Sequence, residues 1–228
     1  MKALISAAVL LAATLWPVLA SKSNVLRDRW FTWAVITALA AIASTFAAVG
    51  LAVMMVALAL VAVSEGIRLV VANAQTLQQK TLGLLFLVYA GVGLSLLAWQ
   101  KPELMAQLIF IVALFDIGGW VGGKTLARLA PFAGKLFAKT SPNKTYGGLV
   151  MSVVFGALCN LWLEAFTWPQ LVTIAAAAVA GDWLESKLKR NLKVKDAAGW
   201  LPGFGGLLDR VDSLIPMGFV LPLIGFFG

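Results

Sequence analysis

The chain has 228 residues, of which 61% are hydrophobic and only 12% charged, and its mean hydropathy is +0.92. A soluble domain cannot conceal that much apolar surface, so soluble enzymes, disordered chains and fibrous repeats are excluded and a polytopic membrane protein remains. The net charge is +8, there is no histidine, and Cys159 is the only cysteine. These counts remove Ser-His-Asp triads, imidazole metal sites, disulfide frameworks and thiolate zinc sites. A metal here must be a hard ion held by carboxylates and phosphates.

In chain order, residues 1–20 read as a first span or a signal-like anchor, because Lys2 precedes an apolar stretch that ends in Val18-Leu19-Ala20 before Ser21. The expectation is that they are retained as a span. Residues 30–64 hold 35 positions without a charge. At about 1.5 Å per residue that is too long for one crossing, so two helices turning near Gly50 are expected. Further apolar runs cover 82–99, 104–121, 147–164, 168–181 and 214–228. The last is short and contains Pro216 and Pro222, so a kinked or re-entrant segment is expected there. The fold class is therefore all-α: one polytopic membrane domain over residues 1–228, with about eight transmembrane helices.

Charge sets the orientation. If residues 21–29 face the cytoplasm, alternation puts 65–81, 122–146 and 183–212 there too. Sixteen of the 18 Lys and Arg residues then lie on that side, and only Lys2 and Lys101 fall outside. The excess of basic residues in cytoplasmic loops selects this orientation, with both termini outside and a charged site on the cytoplasmic side of the cell's inner or plasma membrane.

Acidic residues are few, so their positions carry information. Five of the ten, Asp182, Glu185, Asp196, Asp209 and Asp212, fall in one segment among six bases. Asp182 ends an apolar helix, where a carboxylate is costly unless it meets a cation or water. Carboxylates and bases mixed at one interface suit a magnesium–phosphate site, the acids holding metal and the bases neutralising phosphate oxygens. The competing reading is a salt-bridged loop whose bases touch anionic lipid. Asp116 closes another apolar run and precedes a glycine cluster, which serves either ligand approach or helix packing. Residues 118–125 spell G-x-x-x-x-G-K-T, but their flanks are membrane spans rather than a strand and a soluble α/β frame, so a phosphate-binding loop is rejected. Asn143-Lys144-Thr145 spells a glycosylation sequon on the side where glycosylation does not act. Ser141 and Lys144 precede the span at 147, where a hydroxyl can cap a helix and a lysine can meet phosphate. Glu164 lies a whole span away and is read as structural or interfacial.

From Ser186 to Asp212 the text runs Ser-Lys-Leu-Lys189-Arg190, then Lys195-Asp196, Leu201-Pro202-Gly203-Phe204-Gly205-Gly206 and Asp209-Arg210-Val-Asp212. This closely resembles the signature of phosphatidate cytidylyltransferases, S-x-φ-K-R-x4-K-D-x-small-x2-φ-P-G-H-G-G-φ-x-D-R-φ-D. Every fixed position matches except Phe204, which stands where the signature has His. Upstream, Gly181-Asp182 with Glu185-Ser186 resembles the lead-in G-D-x-x-E-S, and Asp116 with Trp120 and Gly123 resembles D-x-x-A-aromatic-x-x-G. Residues 141–148 resemble S-P-x-K-T-W-E-G, with Gly147 in place of the Glu, and Ser64-Glu65-Gly-Ile-Arg68-Leu is similar to Y-E-hydrophobic-x-R-L. The similarity runs from about residue 29 to the end.

The resemblance implies an enzyme that moves CMP from CTP to phosphatidic acid, giving CDP-diacylglycerol and pyrophosphate for phospholipid synthesis. It implies Mg²⁺ on Asp182 and Asp209, with room for a second cation, and Asp196 and Asp212 as additional or supporting ligands. It assigns Lys189, Arg190, Lys195 and Arg210 to the phosphates. Asp116, Ser141, Asn143, Lys144, Ser186, Gly205 and Gly206 are expected to meet substrate. It also implies a homodimer in membrane lipid and no nucleic-acid partner. The alternatives are a related CTP-dependent lipid enzyme, of the polyprenol kinase or CDP-archaeol synthase type, and a catalytically degenerate relative.

Overall fold

In lipid every backbone N–H and C=O must find a partner within the chain, and helices meet that demand locally. The computed structural model describes residues 2–20, 24–138, 140–201 and 205–226. Pro202, Gly203 and Phe204 of the signature, and Ser21, lie outside them. The elements are α1 (Lys2–Ala20), α2 (Asn24–Thr45), α3 (Ala47–Asn73), α4 (Leu77–Ala98), α5 (Pro102–Lys124), a 3-10 turn (Leu126–Arg128), β1 (Lys135–Phe137), β2 (Ser141–Thr145), α6 (Tyr146–Leu163), α7 (Trp168–Asn191), α8 (Leu208–Val211) and α9 (Met217–Phe226).

The fold is all-α and membrane-like. Among the described residues four helical stretches, Val49–Asn73, Leu77–Ala98, Glu103–Arg128 and Tyr146–Leu163, are long and apolar enough to cross a membrane. One exception to the helical pattern falls inside the basic 122–146 segment, where β1 and β2 pair antiparallel. The long uncharged run does divide into two helices, but the break is at Phe46, four residues before Gly50. A Cβ on Gly50 would collide with the Ala43 carbonyl oxygen, whereas seven residues of straight helix would separate the two by about 10 Å.

Local chemistry sets the helix ends. Thr76 caps α4, accepting from the Gln79 N–H at 3.2 Å while Gln79 Oε1 accepts from the Thr76 N–H at 3.1 Å. Pro102 opens α5. Thr145 caps α6 by accepting from the Gly148 N–H at 3.1 Å. Asn160 shapes the turn into α7, donating to the Phe166 carbonyl at 2.7 Å and accepting from the Phe166 N–H at 3.0 Å.

The glycine cluster packs α5 on α6. A side chain at Gly118 would strike the Met151 carbonyl, and one at Gly122 the Gly147 carbonyl. The G-x-x-x-x-G-K-T spelling therefore lies on a continuous helix and works as a close helix contact.

The segment 183–212 is not an extended cytoplasmic loop. Helix α7 continues to Asn191, and most residues from 206 to 218 are buried. Leu208, Ile215 and Met217 are fully enclosed, and the chain around Ile215 and Gly218 wedges against Gly93 of α4 so closely that neither glycine tolerates a Cβ. Counting charges treats a loop as solvated and carries no signal for such a return into the bundle. The expected last span is reduced to the ten residues of α9, with Pro222 inside it.

Candidate active site

The turns that join α3 to α4, α5 to α6 and α7 to α8 come together at one end of the bundle. Gln79 donates to the Asn191 carbonyl at 2.8 Å, and Arg190 Nε donates to the Thr140 carbonyl at 3.1 Å. Beneath them is a cavity of about 1020 Å³ walled by α5, β1, β2, α6, α7 and residues of the stretches 195–201 and 205–213.

The buried centre of its wall is Lys189. Its ammonium sits 2.5 Å from Glu185, one helical turn back, and 2.6 Å from Asp209, brought in from α8. Asp209 has further work. Its Oδ2 accepts from the Gly206 N–H at 2.8 Å and from the Ala197 N–H at 3.0 Å, which closes the 197–209 loop on itself. Burial alone would raise the Asp209 carboxyl. The Lys189 ammonium and the Gly206 N–H oppose that, and the carboxyl is held below the usual carboxylate range. Gly205 has φ +86, in the left-handed region, and a Cβ there would lie 2.8 Å from Asp209 Oδ2. A glycine is needed at that position on both counts.

A second ion pair joins the hairpin to α7: Lys144 on β2 binds Asp182, which also accepts from Ser186 Oγ at 3.3 Å. Burial lowers the Lys144 pKa from that of a free lysine. Ser141 and Asn143, also on β2, line the same cavity with Lys144. Asp212 and Arg210 line its inner part. Asp212 is 7% exposed and accepts from the Ser213 N–H at 2.6 Å. Burial pushes its carboxyl up, against the opposing pull of Arg210, Lys189 and Lys144. Asp116 faces this region from α5, and Lys195 and Asp196 enter from the loop after α7.

Three residues expected to meet substrate or phosphate do not line the cavity. Arg190 is exposed and binds the Thr140 and Val194 carbonyls, both at 3.1 Å, so it ties the hairpin to the following loop. Ser186 acts through Asp182, and Gly206 through its N–H on Asp209. Periodicity puts Arg190 near Asp182 but cannot show that carbonyls from two loops reach its guanidinium first.

The donor chemistry fits a hard cation. Five carboxylates, Asp116, Asp182, Asp196, Asp209 and Asp212, face four bases, Lys144, Lys189, Lys195 and Arg210, around the cavity. Glu185 adds a further carboxylate through Lys189. Among the described residues no three acidic side chains converge to form a ready cage. Such a set suits Mg²⁺ bound by one or two carboxylates and completed by substrate phosphates and water.

Two acids that the sequence reading named in its motifs but gave no role toward substrate or metal also belong to the site. Glu65 is 4% exposed on α3 and accepts from the Leu207 N–H at 3.0 Å, the Leu208 N–H at 2.8 Å and the Trp200 indole N–H. It is the only acid between residues 29 and 102, and it falls in the Ser64–Leu69 text noted above as similar to the family's, so two signals were available. Glu185 is 1% exposed and completes the Lys189 pairing. The departure at Gly147 also has a physical reason. A Cβ there would lie 2.7 Å from the Ala127 N and 3.0 Å from Leu126, so the 3-10 turn occupies the space a side chain would need.

Compared with known proteins, residues 1–227 match the family described as "Cytidylyltransferase family". A Helicobacter pylori protein named phosphatidate cytidylyltransferase is 38% identical over 141 residues, covering 58% of this chain and 47% of the relative. Proteins of the same name from Staphylococcus saprophyticus and Brucella suis are each 33% identical, covering 62% and 63% of this chain and 56% and 55% of theirs. The chain thus spans about half the length of the curated relatives it matches.

Proposed function

The chain belongs to the cytidylyltransferase family, and from that premise we propose that it transfers CMP from CTP to phosphatidic acid, releasing pyrophosphate and forming CDP-diacylglycerol. The observation that carries this reading is the cavity itself. At one end of an apolar helix bundle it gathers carboxylates and bases, and its wall continues into Phe115, Val153, Ala175, Ala178 and Val179. A polar chamber with an apolar extension suits a nucleotide triphosphate meeting a diacyl lipid.

A phosphate oxygen of the lipid forms a bond to the α-phosphorus of CTP. The bond from that phosphorus to the β-phosphate oxygen breaks, and pyrophosphate leaves with the electron pair. The acceptor is already an anion, so the demand is for alignment and charge neutralisation more than for a base. Lys144, Lys195 and Arg210 neutralise phosphate oxygens, while Lys189 holds Asp209 in place. Asp182 and Asp209 would hold Mg²⁺, which when bound supplies further neutralisation of the triphosphate. Because Lys144 occupies Asp182, substrate binding would exchange that ion pair for phosphate and metal partners, while Lys189 stays on Asp209. Asp196 and Asp212 support the ligands, and Asp116, Ser141 and Asn143 contact substrate.

The proposal includes about eight membrane segments in the cell's inner or plasma membrane, the last of them the short, re-entrant α9, with the cavity on the cytoplasmic side, and assembly as a homodimer. Sixteen of the 18 basic residues on one side support the orientation. The dimer rests on the sequence resemblance.

The test is turnover by purified protein in detergent with labelled CTP, phosphatidic acid and Mg²⁺. Product that keeps its cytidine and disappears with chelator supports the reading. Transfer of the γ-phosphate alone would make the protein a lipid kinase, and absence of CTP binding by folded protein would make it a degenerate relative.

A further inference from the structure

None of the described residues of α3 lines the cavity, yet α3 carries a carboxylate that reaches toward it. Glu65 is 4% exposed. A carboxylate removed from water in an apolar helix is costly unless it is fully hydrogen-bonded. Its three donors are all neutral, and all belong to one stretch of chain: the Trp200 indole N–H and the N–H groups of Leu207 and Leu208. Those amides immediately precede Asp209 and Arg210, both of which face the cavity. Asp209 in turn binds Lys189 and the Gly206 and Ala197 N–H groups. The loop is therefore held from both sides, by Glu65 from the lipid-facing bundle and by Asp209 from within.

We propose that Glu65 is a positioning residue for the transfer: by clamping Trp200, Leu207 and Leu208 it aims Asp209 and Arg210 into the cavity from a helix that touches no substrate. This rests on the cytidylyltransferase reading. Two acceptor oxygens are required, one for each backbone N–H. A glutamine fills the same volume, but its amide NH₂ would face a donor, so Glu65→Gln breaks the clamp without opening a void. A misplacement of the loop by about 1 Å would cost up to about 100-fold in turnover.

The experiment compares wild type, Glu65→Gln and Trp200→Phe, the last removing one donor from a residue that is 57% exposed. Three quantities are read: kcat with CTP and phosphatidic acid, KM for CTP, and hydrogen exchange of the backbone amides in detergent. The expected result for Glu65→Gln is a fall in kcat of about 10–100-fold with KM for CTP changed less than about threefold. Exchange should speed up at residues 205–209 and stay unchanged in α4 and α5. Trp200→Phe should move the same quantities in the same direction by less. Unchanged kcat, or unchanged exchange at 207 and 208, overturns the inference. Loss of protection throughout the bundle also overturns it, since that would assign Glu65 to the fold alone. Wild type that turns over no CTP sinks the cytidylyltransferase reading instead, and the exchange data still decide whether Glu65 holds the loop.

Discussion

Asp209 shows how much one side chain can be asked to do. It pairs with Lys189, accepts from Gly206 and Ala197, and lines the cavity. Asp209→Asn keeps the size but loses the charge and sets an amide against those N–H donors. Turnover should fall by about 100-fold or more, while the protein still inserts and is extracted as a single species. Full activity in that variant would remove Asp209 from the site. Lys189 would keep Glu185, so a complete loss of folding is not expected. Glu65 and Asp209 hold one short loop from opposite sides, but the sequence reading gave a role only to Asp209. Its Asp-Arg-x-Asp setting is a recognisable local pattern, whereas a lone acid in an apolar run says nothing about which backbone amides it will meet.

Helices α5 and α6 are joined by a row of small residues rather than by large interdigitating side chains. Gly118 and Gly122 of α5 lie directly against the Met151 and Gly147 carbonyls of α6. This contact places Asp116 on the cavity wall and sets the base of the hairpin that carries Lys144. Gly122→Leu should force the pair apart and destabilise the protein by about 1–3 kcal/mol, seen as a lower thermal midpoint in detergent. An unchanged midpoint would show that the two helices do not rely on this contact. The hairpin itself was not legible. Residues 135–145 contain one proline, three lysines and one serine without a two-residue alternation, and the strands form because the chain between two packed helices must turn back over the cavity.

At the scale of the molecule, charge is distributed by end. Lys80, Lys124, Lys135, Lys144 and Arg190 lie on or beside the turns that gather at the cavity, while Lys101, Glu103 and Glu164 flank the turns at the other end. If the cavity faces the cytoplasm, a cysteine at exposed Lys101 should react with an impermeant maleimide on intact cells. A cysteine at exposed Lys80 should react only after permeabilisation. A Cys159→Ala background removes the native thiol, which is buried. The reverse pattern would invert the orientation and move the cavity to the outer face.

The membrane class, the helical fold, the split of residues 30–64 into two helices and the concentration of acids and bases in one segment all followed from composition, hydropathy and spacing. Each depends on properties that neighbouring residues carry by themselves. The tertiary structure alone decided that residues 206–218 turn back into the bundle. It also decided that Arg190 binds carbonyls instead of lining the cavity, that Lys189 joins Glu185 to Asp209, and that Glu65 clamps a loop more than 130 residues away in sequence. Those outcomes depend on which donors and acceptors packing brings within reach. That is settled by competition among distant parts of the chain, and it leaves no trace in local periodicity.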